Sequence, residues 1–229
     1  MTIPILFVLD SSGSMFGEKI DAVNRALAEF KEILLPTEIA HHAQIGVLSF
    51  SSEYEWITDG FISLSSYKYK PITAGGLTSL GAAIAEIGKR LTPNDLLYNN
   101  SEATSIPIII FMSDGCPTDE WEQQLLLADK NPCFAKSVRL SFGIGTEVDE
   151  NIMKRLSVPS EVVHDNLNWE EHARYINAHH SAEITRILDS LFFCSLMDGF
   201  SNFDESAITK SGRIMDRIIA MNLSNSDAD

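Results

Sequence analysis

The long apolar runs of this chain end on hydroxyl and carboxylate side chains, and helical patterns follow them. Ile3 to Leu9 is apolar throughout and runs into Asp10-Ser11-Ser12-Gly13-Ser14. Ile106 to Met112 does the same before Ser113-Asp114-Gly115, and Gln44 to Phe50 reads as a third buried strand. An unbroken apolar strand is one covered on both faces. The covering pieces are visible too. Lys19 to Leu35 carries Ile20, Val23, Ala26, Leu27, Phe30 and Leu34 at helical spacing, and Pro36 closes it. Thr78 to Leu91 places Leu80, Ala83, Ile84 and Ile87 on one face. Such alternation predicts a parallel sheet with helices on both sides. Sheets of this kind bind ligands at the carboxyl ends of their strands, where strand order reverses.

The rest of the chain is read in the same way. Tyr54 to Ile57 and Phe61 to Leu64, broken by Asp59-Gly60, predict a hairpin or short edge strand. Residues 92 to 105 are polar and read as a surface loop. Asp119 to Asp129 is expected to be a helix, Lys136 to Ile144 a strand, Glu150 to Leu156 a short helix, and Glu161 to Val163 a short strand. Trp169 to Phe193 reads as one long helix or two, because Asn177 to Ser181 interrupts the pattern. Residues 194 to 229 form an extension. In it Ile208, Met215, Ile218, Ile219 and Met221 follow a helical pattern weakened by Gly212, and Ser224 to Asp229 is expected to be disordered.

Composition excludes several functions. Hydrophobic residues are 45% of the 229 and charged ones 21%, enough for a sizeable core. Lys plus Arg is 17 against 32 acids, a net charge of −15 that repels phosphate backbones, so no nucleic-acid partner is expected. Cys116, Cys133 and Cys194 form no C-x-x-C spacing and read as reduced thiols. The adjacent pairs His41-His42 and His179-His180 point to different sides of a helix and are poorly placed to clamp a metal. No run approaches the roughly 18 apolar residues of a membrane span. No basic residue precedes Lys19, which speaks against a signal peptide, and the expected location is cytoplasmic.

Asp10, Ser12 and Ser14, then Gly75-Gly76-Leu77-Thr78-Ser79, then Ser113-Asp114-Gly115 give three strand-end or loop sites rich in hard oxygens. Hard oxygens without His or Cys select Mg²⁺, Mn²⁺ or Ca²⁺. Taken singly, each has a plainer reading: a helix cap for Ser14 or Thr78, a helix-dipole partner for Asp10, a turn for Asp114-Gly115. Taken in order, the set resembles the metal-ion-dependent adhesion site of von Willebrand factor A domains. The resemblance covers residues 3 to 192. It is nearest to the small bacterial A-domain proteins of tellurium-resistance operons, through Val8 to Met15, Gly17-Glu18, Ala22-Val23-Asn24, Gly76 to Ala83 and Met112 to Asp119. Ser113 departs from the Thr common at that position.

The resemblance implies a Rossmann-like α/β domain over residues 1–193: a doubly wound, mostly parallel sheet with one antiparallel edge strand and helices on both faces. It further implies that Ser12 and Ser14 bind Mg²⁺ directly, with Mn²⁺ or Ca²⁺ as alternatives. Thr78 would bind directly or through water, and Asp10 and Asp114 one water away. One position would stay open for a Glu or Asp of a partner protein, in a tellurium-resistance, stress-response or signalling complex. The rival reading is a Mg²⁺-dependent phosphate-ester hydrolase, which starts from D-x-D where this chain has Ser12; a scaffold that does not use the metal is a third. G-x-G-x-x-G, P-loop and G-x-S-x-G patterns are absent. Trp121 and Cys116-Pro117 fall near the expected metal face.

Overall fold

The computed structural model describes residues 2–36, 38–92, 106–165 and 168–178, with isolated helical positions at 186, 190, 216, 217 and 220. In chain order the elements are β1 (Ile3–Asp10), α1 (Glu18–Leu34), β2 (Ala43–Phe50), β3 (Tyr54–Trp56), β4 (Ile62–Ser63), α2 (Leu80–Arg90), β5 (Ile108–Ser113), α3 (Trp121–Ala128), α4 (Pro132–Ala135), β6 (Val138–Ile144), α5 (Glu150–Leu156), α6 (Ser160–Asp165) and β7 (Tyr175–Ala178). The sheet has seven strands in the order β3-β2-β1-β5-β6-β7, with β4 also paired to β2. All pairings are parallel except those of β3 and β4, which give an antiparallel edge. The fold is the expected mostly parallel α/β sheet with an antiparallel edge.

Every residue of β1 is buried, because successive side chains enter different cores. Ile3, Ile5, Phe7 and Leu9 pack with α1, whose Ile20, Val23, Leu27 and Phe30 form the facing stripe. Leu6 and Val8 point the other way, to Leu80, Ile84 and Ile87 of α2, Leu125 of α3 and Met153 of α5. Strand order turns at β1: the chain leaves it toward β2 on one side and returns to β5 on the other. Asp10 and Ser113 therefore end neighbouring strands at the reversal, the place such sheets reserve for ligands.

The segment after β4 crosses α1 and delivers the glycine-rich loop. Lys31 Nζ donates to the carbonyls of Ser65 (2.9 Å) and Tyr67 (2.7 Å). Asn24 then takes both backbone groups of Ile72: its Nδ2 donates to the carbonyl at 2.7 Å and its Oδ1 accepts from the amide at 2.8 Å. Tyr67 packs on Phe30 with ring centroids 4.8 Å apart.

Two expectations need correction. Residues 161 to 163 lie in helix α6, not a strand. The helix expected from Trp169 begins as a single 3-10 turn, Trp169–His172, and becomes strand β7, which pairs in parallel with Ser141 to Ile144. Partner pairing on the sheet edge outweighs local propensity there. Of the two readings for Tyr54 to Ile57 and Phe61 to Leu64, the short edge strand holds and the hairpin does not, since β3 and β4 both pair with β2 rather than with each other. The Thr58 hydroxyl explains the break: it accepts from the Val47 amide at 2.9 Å and donates to the Gly60 carbonyl at 2.8 Å, replacing a ladder bond as the chain turns. The expected loop at 93 to 105, the helix beyond 178 and most of the 194–229 extension lie outside the described residues.

Arg139 of β6 is 1% exposed and stacks over the Phe134 ring at 4.8 Å. Its Nη2 stands 2.9 Å from Asp129 Oδ1, an ion pair whose angle falls short of hydrogen-bond geometry. Burial pulls its pKa down to about 10, against the opposing pull of Asp129. Asp129 Oδ2 also accepts from the Ser160 amide at 2.9 Å, joining α3 to α6. Removing the acid strands a buried cation. Asp129→Ala should cost about 3–5 kcal/mol in urea unfolding, whereas Arg139→Met should cost less, because the Asp129 carboxylate left behind still accepts from the Ser160 amide and hydroxyl. Equal losses in the two variants would contradict this assignment.

Candidate functional site

Asp10 closes β1 with no solvent exposure. Its Oδ1 accepts from the Ser12 amide at 2.8 Å, and its Oδ2 from the Ser113 hydroxyl at 2.5 Å. Ser113 Oγ in turn accepts from the Gly115 amide at 2.8 Å. The carboxylate thus ties the first loop to the third across adjacent strands. Burial raises its pKa above the ordinary carboxylate value, the bonds from Ser113 and Ser12 oppose that rise, and the charge of Asp114 adds to it. A cation placed here would relieve the penalty.

Ser12 and Ser14 converge, their hydroxyl oxygens 3.0 Å apart, with Ser12 buried and Ser14 exposed. Ser14 sits in a 3-10 turn, Gly13–Met15, whose cap residue Ser12 makes no side-chain cap bond, and the cap position of α1 is Gly17. The helix-cap reading therefore does not explain these hydroxyls. The glycine-rich loop lies against this turn: Gly13 N donates to the Gly76 carbonyl at 3.1 Å and Gly75 N to the Ser11 carbonyl at 2.8 Å. Gly76 is required there, with φ of 83° and space that places a Cβ 2.6 Å from Ser52 Oγ. Two residues on, Thr78 is buried and bound to the third loop, its amide 3.3 Å from Thr118 Oγ1 and its carbonyl accepting from the Thr118 amide at 2.8 Å. Thr78 does not cap α2. The first amides of that helix, Gly81 and Ala82, donate to Asp119 Oδ1 (2.9 Å) and Oδ2 (3.1 Å).

Asp114 completes the set. Its side chain is 3% exposed, and Oδ2 accepts from Lys19 Nζ at 3.1 Å. Its Oδ1 is buried without a hydrogen-bond partner. A buried carboxylate oxygen left unsatisfied is costly and calls for a cation or a water. Two carboxylates and hydroxyls, with an unengaged carboxylate oxygen among them, fit a hard divalent ion. Among the described residues no cluster of three or more His, Cys, Asp and Glu occurs.

All five residues expected from the sequence, Asp10, Ser12, Ser14, Thr78 and Asp114, lie on three mutually bonded loops at one end of the sheet. Sequence reasoning missed Lys19 and Asp119. A lysine one residue inside α1, just after the hydroxyl turn, was the available signal for the first; nothing local signals a cap delivered from another loop. Cys116 is exposed beside Asp114, but partial burial and then the charges of Asp114, Asp149 and Asp10 push its thiol pKa up, which disfavours a nucleophile. Trp121 is partly buried against the second core. Phe16 (81% exposed) and Leu77 (61% exposed) stand open on the first and second loops. No helix among the described residues is long and apolar enough to cross a membrane.

No protein-family model matches the chain. Inter-alpha-trypsin inhibitor heavy chain H4 of Bos taurus is 33% identical over 130 residues, 51% of this chain and 13% of that protein. Among solved structures, the ArnB paralog VWA2 from Sulfolobus acidocaldarius superposes with a TM-score of 0.58 at 21% identity, covering 83% of this chain and 45% of that one. Proximal thread matrix protein 1 from the mussel byssus, with a zinc-occupied MIDAS motif, gives 0.56 at 13% identity over 82% and 46%. The chain spans under half the length of each. What it shares with both solved structures is an architecture, and that architecture is the von Willebrand factor A fold.

Proposed function

We propose that this chain is a non-catalytic interaction module that holds Mg²⁺, with Mn²⁺ or Ca²⁺ as substitutes, and captures a Glu or Asp of a protein partner. The observation that carries it is the buried, unpartnered Oδ1 of Asp114 at the same end of the sheet as the paired hydroxyls of Ser12 and Ser14. The mussel protein bears zinc at a motif of the same class, which supports a divalent site here. A divalent ion held by these residues supplies a Lewis-acidic position open to a carboxylate.

The chain's own groups prepare that position. Ser12, Ser14 and Thr78 offer neutral oxygens, so little charge is placed directly on the ion. Asp10 stays fixed by Ser12 and Ser113 and supplies negative charge from behind. Asp119 and Thr118 lock the second loop to the third, keeping Thr78 in register with the serines. Phe16 and Leu77 present apolar surface beside the hydroxyls, the composition of a protein-binding face. The hydrolase reading lacks its parts: position 12 is serine, and Lys19 is engaged with Asp114. The tellurium-resistance setting and the cytoplasmic location are proposals resting on sequence motifs alone, and the neighbouring genes test the first.

Calorimetry should show one Mg²⁺ or Mn²⁺ site, with affinity lost in Asp10→Ala and reduced in Ser14→Ala. Unaltered affinity in both variants would sink the assignment. Thr78→Ala should weaken metal and partner binding while changing stability by no more than about 1 kcal/mol, the usual value of a lost cap. Asp119→Ala should cost that full amount, because it is Asp119 that caps α2. No p-nitrophenyl phosphate should be turned over with any divalent ion; turnover abolished in Asp10→Asn would restore the hydrolase.

The raised pKa of Asp10 gives a signed pH test. The folded chain holds this proton to higher pH than the unfolded chain, so metal-free stability falls as pH rises from about 4 through the folded value. In EDTA, the melting temperature of Asp10→Asn relative to the unaltered chain should therefore climb as pH rises above about 4. Saturating Mg²⁺ should cancel the climb. A difference that stays constant with pH would refute the buried-charge account.

A further inference from the structure

Lys19 lies in the first turn of α1, and its ammonium reaches Asp114 Oδ2, 3.1 Å away. Its side chain is only 27% exposed. The stem passes over Gly145, just beyond β6, where φ is +106° and a Cβ would stand 2.6 Å from Lys19 Cε. Bare backbone at that position makes room for the lysine. Among the described residues no other cation forms an ion pair with Asp10 or Asp114. The ammonium takes one oxygen of Asp114 and leaves the other, Oδ1, unpartnered, so lysine and metal draw on different atoms.

Charge counting gives this arrangement a purpose. Two ionised carboxylates would be just neutralised by a divalent ion, leaving no net charge to attract an acidic group. With the ammonium present, the ion, Asp10, Asp114 and Lys19 together carry one positive charge. We propose that Lys19 sets the charge of the metal centre, lowering its affinity for the divalent ion and raising that of the loaded centre for a carboxylate. The proposal rests on the metal-site reading under Proposed function. It assigns opposite signs to the two binding steps, whereas a merely structural lysine would weaken both when removed.

The test uses the full chain, with Mn²⁺ as the metal probe and acetate as the carboxylate probe. Mn²⁺ binding is followed by water-proton relaxation, and acetate is then titrated into the loaded protein. Lys19→Met should bind Mn²⁺ about tenfold more tightly or better, and acetate several-fold more weakly, since a unit charge at short range is worth at least that much. Lys19→Arg, which keeps the charge, should stay within about threefold of the unaltered chain on both counts. Lys19→Gln replaces the methionine variant if that one does not fold. Mn²⁺ binding no tighter in the neutral variant, or acetate binding no weaker, overturns the proposal while Asp10→Ala still abolishes the metal site. If Asp10→Ala leaves Mn²⁺ binding intact, the metal reading itself fails and the proposal falls with it.

Discussion

A fully buried carboxylate at the end of the central strand is the constraint around which the site end of this molecule is organised. Asp10 cannot be left without donors in that position, because unpaired charge in a low-dielectric interior is prohibitive. The Ser12 amide and the Ser113 hydroxyl are those donors, and each belongs to a different loop. Satisfying one side chain therefore fixes how two loops approach each other. The glycine-rich loop is placed by backbone pairing, since the Gly13 amide donates to Gly76 and the Gly75 amide to Ser11. Strand register sets the rest: Leu9 pairs with Met112, so the residues after them emerge side by side.

Much of this was legible in the sequence, and the reasons are specific. β1 and β5 are covered on both faces and wrote themselves as unbroken apolar runs, and β2, buried throughout, as a mostly apolar one that includes Gln44 and Ser49. α1 and α2 bury one stripe and show it at helical spacing. The candidate oxygen donors were legible because they follow strands in a fixed order. Elements whose form depends on a distant partner were not. β7 is a four-residue strand that takes its bonds from β6, and its sequence, Tyr175-Ile176-Asn177-Ala178, has no period of its own. α6 occupies a stretch read as strand, where Val162 and Val163 suggested β structure, and the Ser160 bond to Asp129 anchors its start. The same holds for function. Ser113 looked like a minor replacement for threonine, yet its hydroxyl is what joins the two carboxylate-bearing strands.

Under the proposed function, a module of net charge −15 that captures an acidic residue would work against its own field at a distance. Attraction must then be confined to the site itself, within a few ångströms, where local charges outweigh the screened global repulsion. Exposed apolar residues beside the hydroxyls, Phe16 and Leu77, add a contribution that charge does not oppose. Selectivity arises from that balance. A partner with a lone carboxylate in an apolar surrounding meets less repulsion than one with an acidic stretch.

The side-chain amide of Asn24 divides the segment after β4 into two stretches with different freedom. Upstream of Ile72, Lys68 to Pro71 are exposed, so added or deleted residues could be absorbed there without disturbing the glycine-rich loop. Downstream, only Thr73 to Leu77 separate the anchored Ile72 from the buried Thr78, and Gly75 and Gly76 are already pinned to the first loop. Chain length is thus an adjustable quantity on one side of Asn24 and a fixed one on the other. Relatives of this fold can vary the surface beside the site through the first stretch, while the second acts as a ruler that places the threonine.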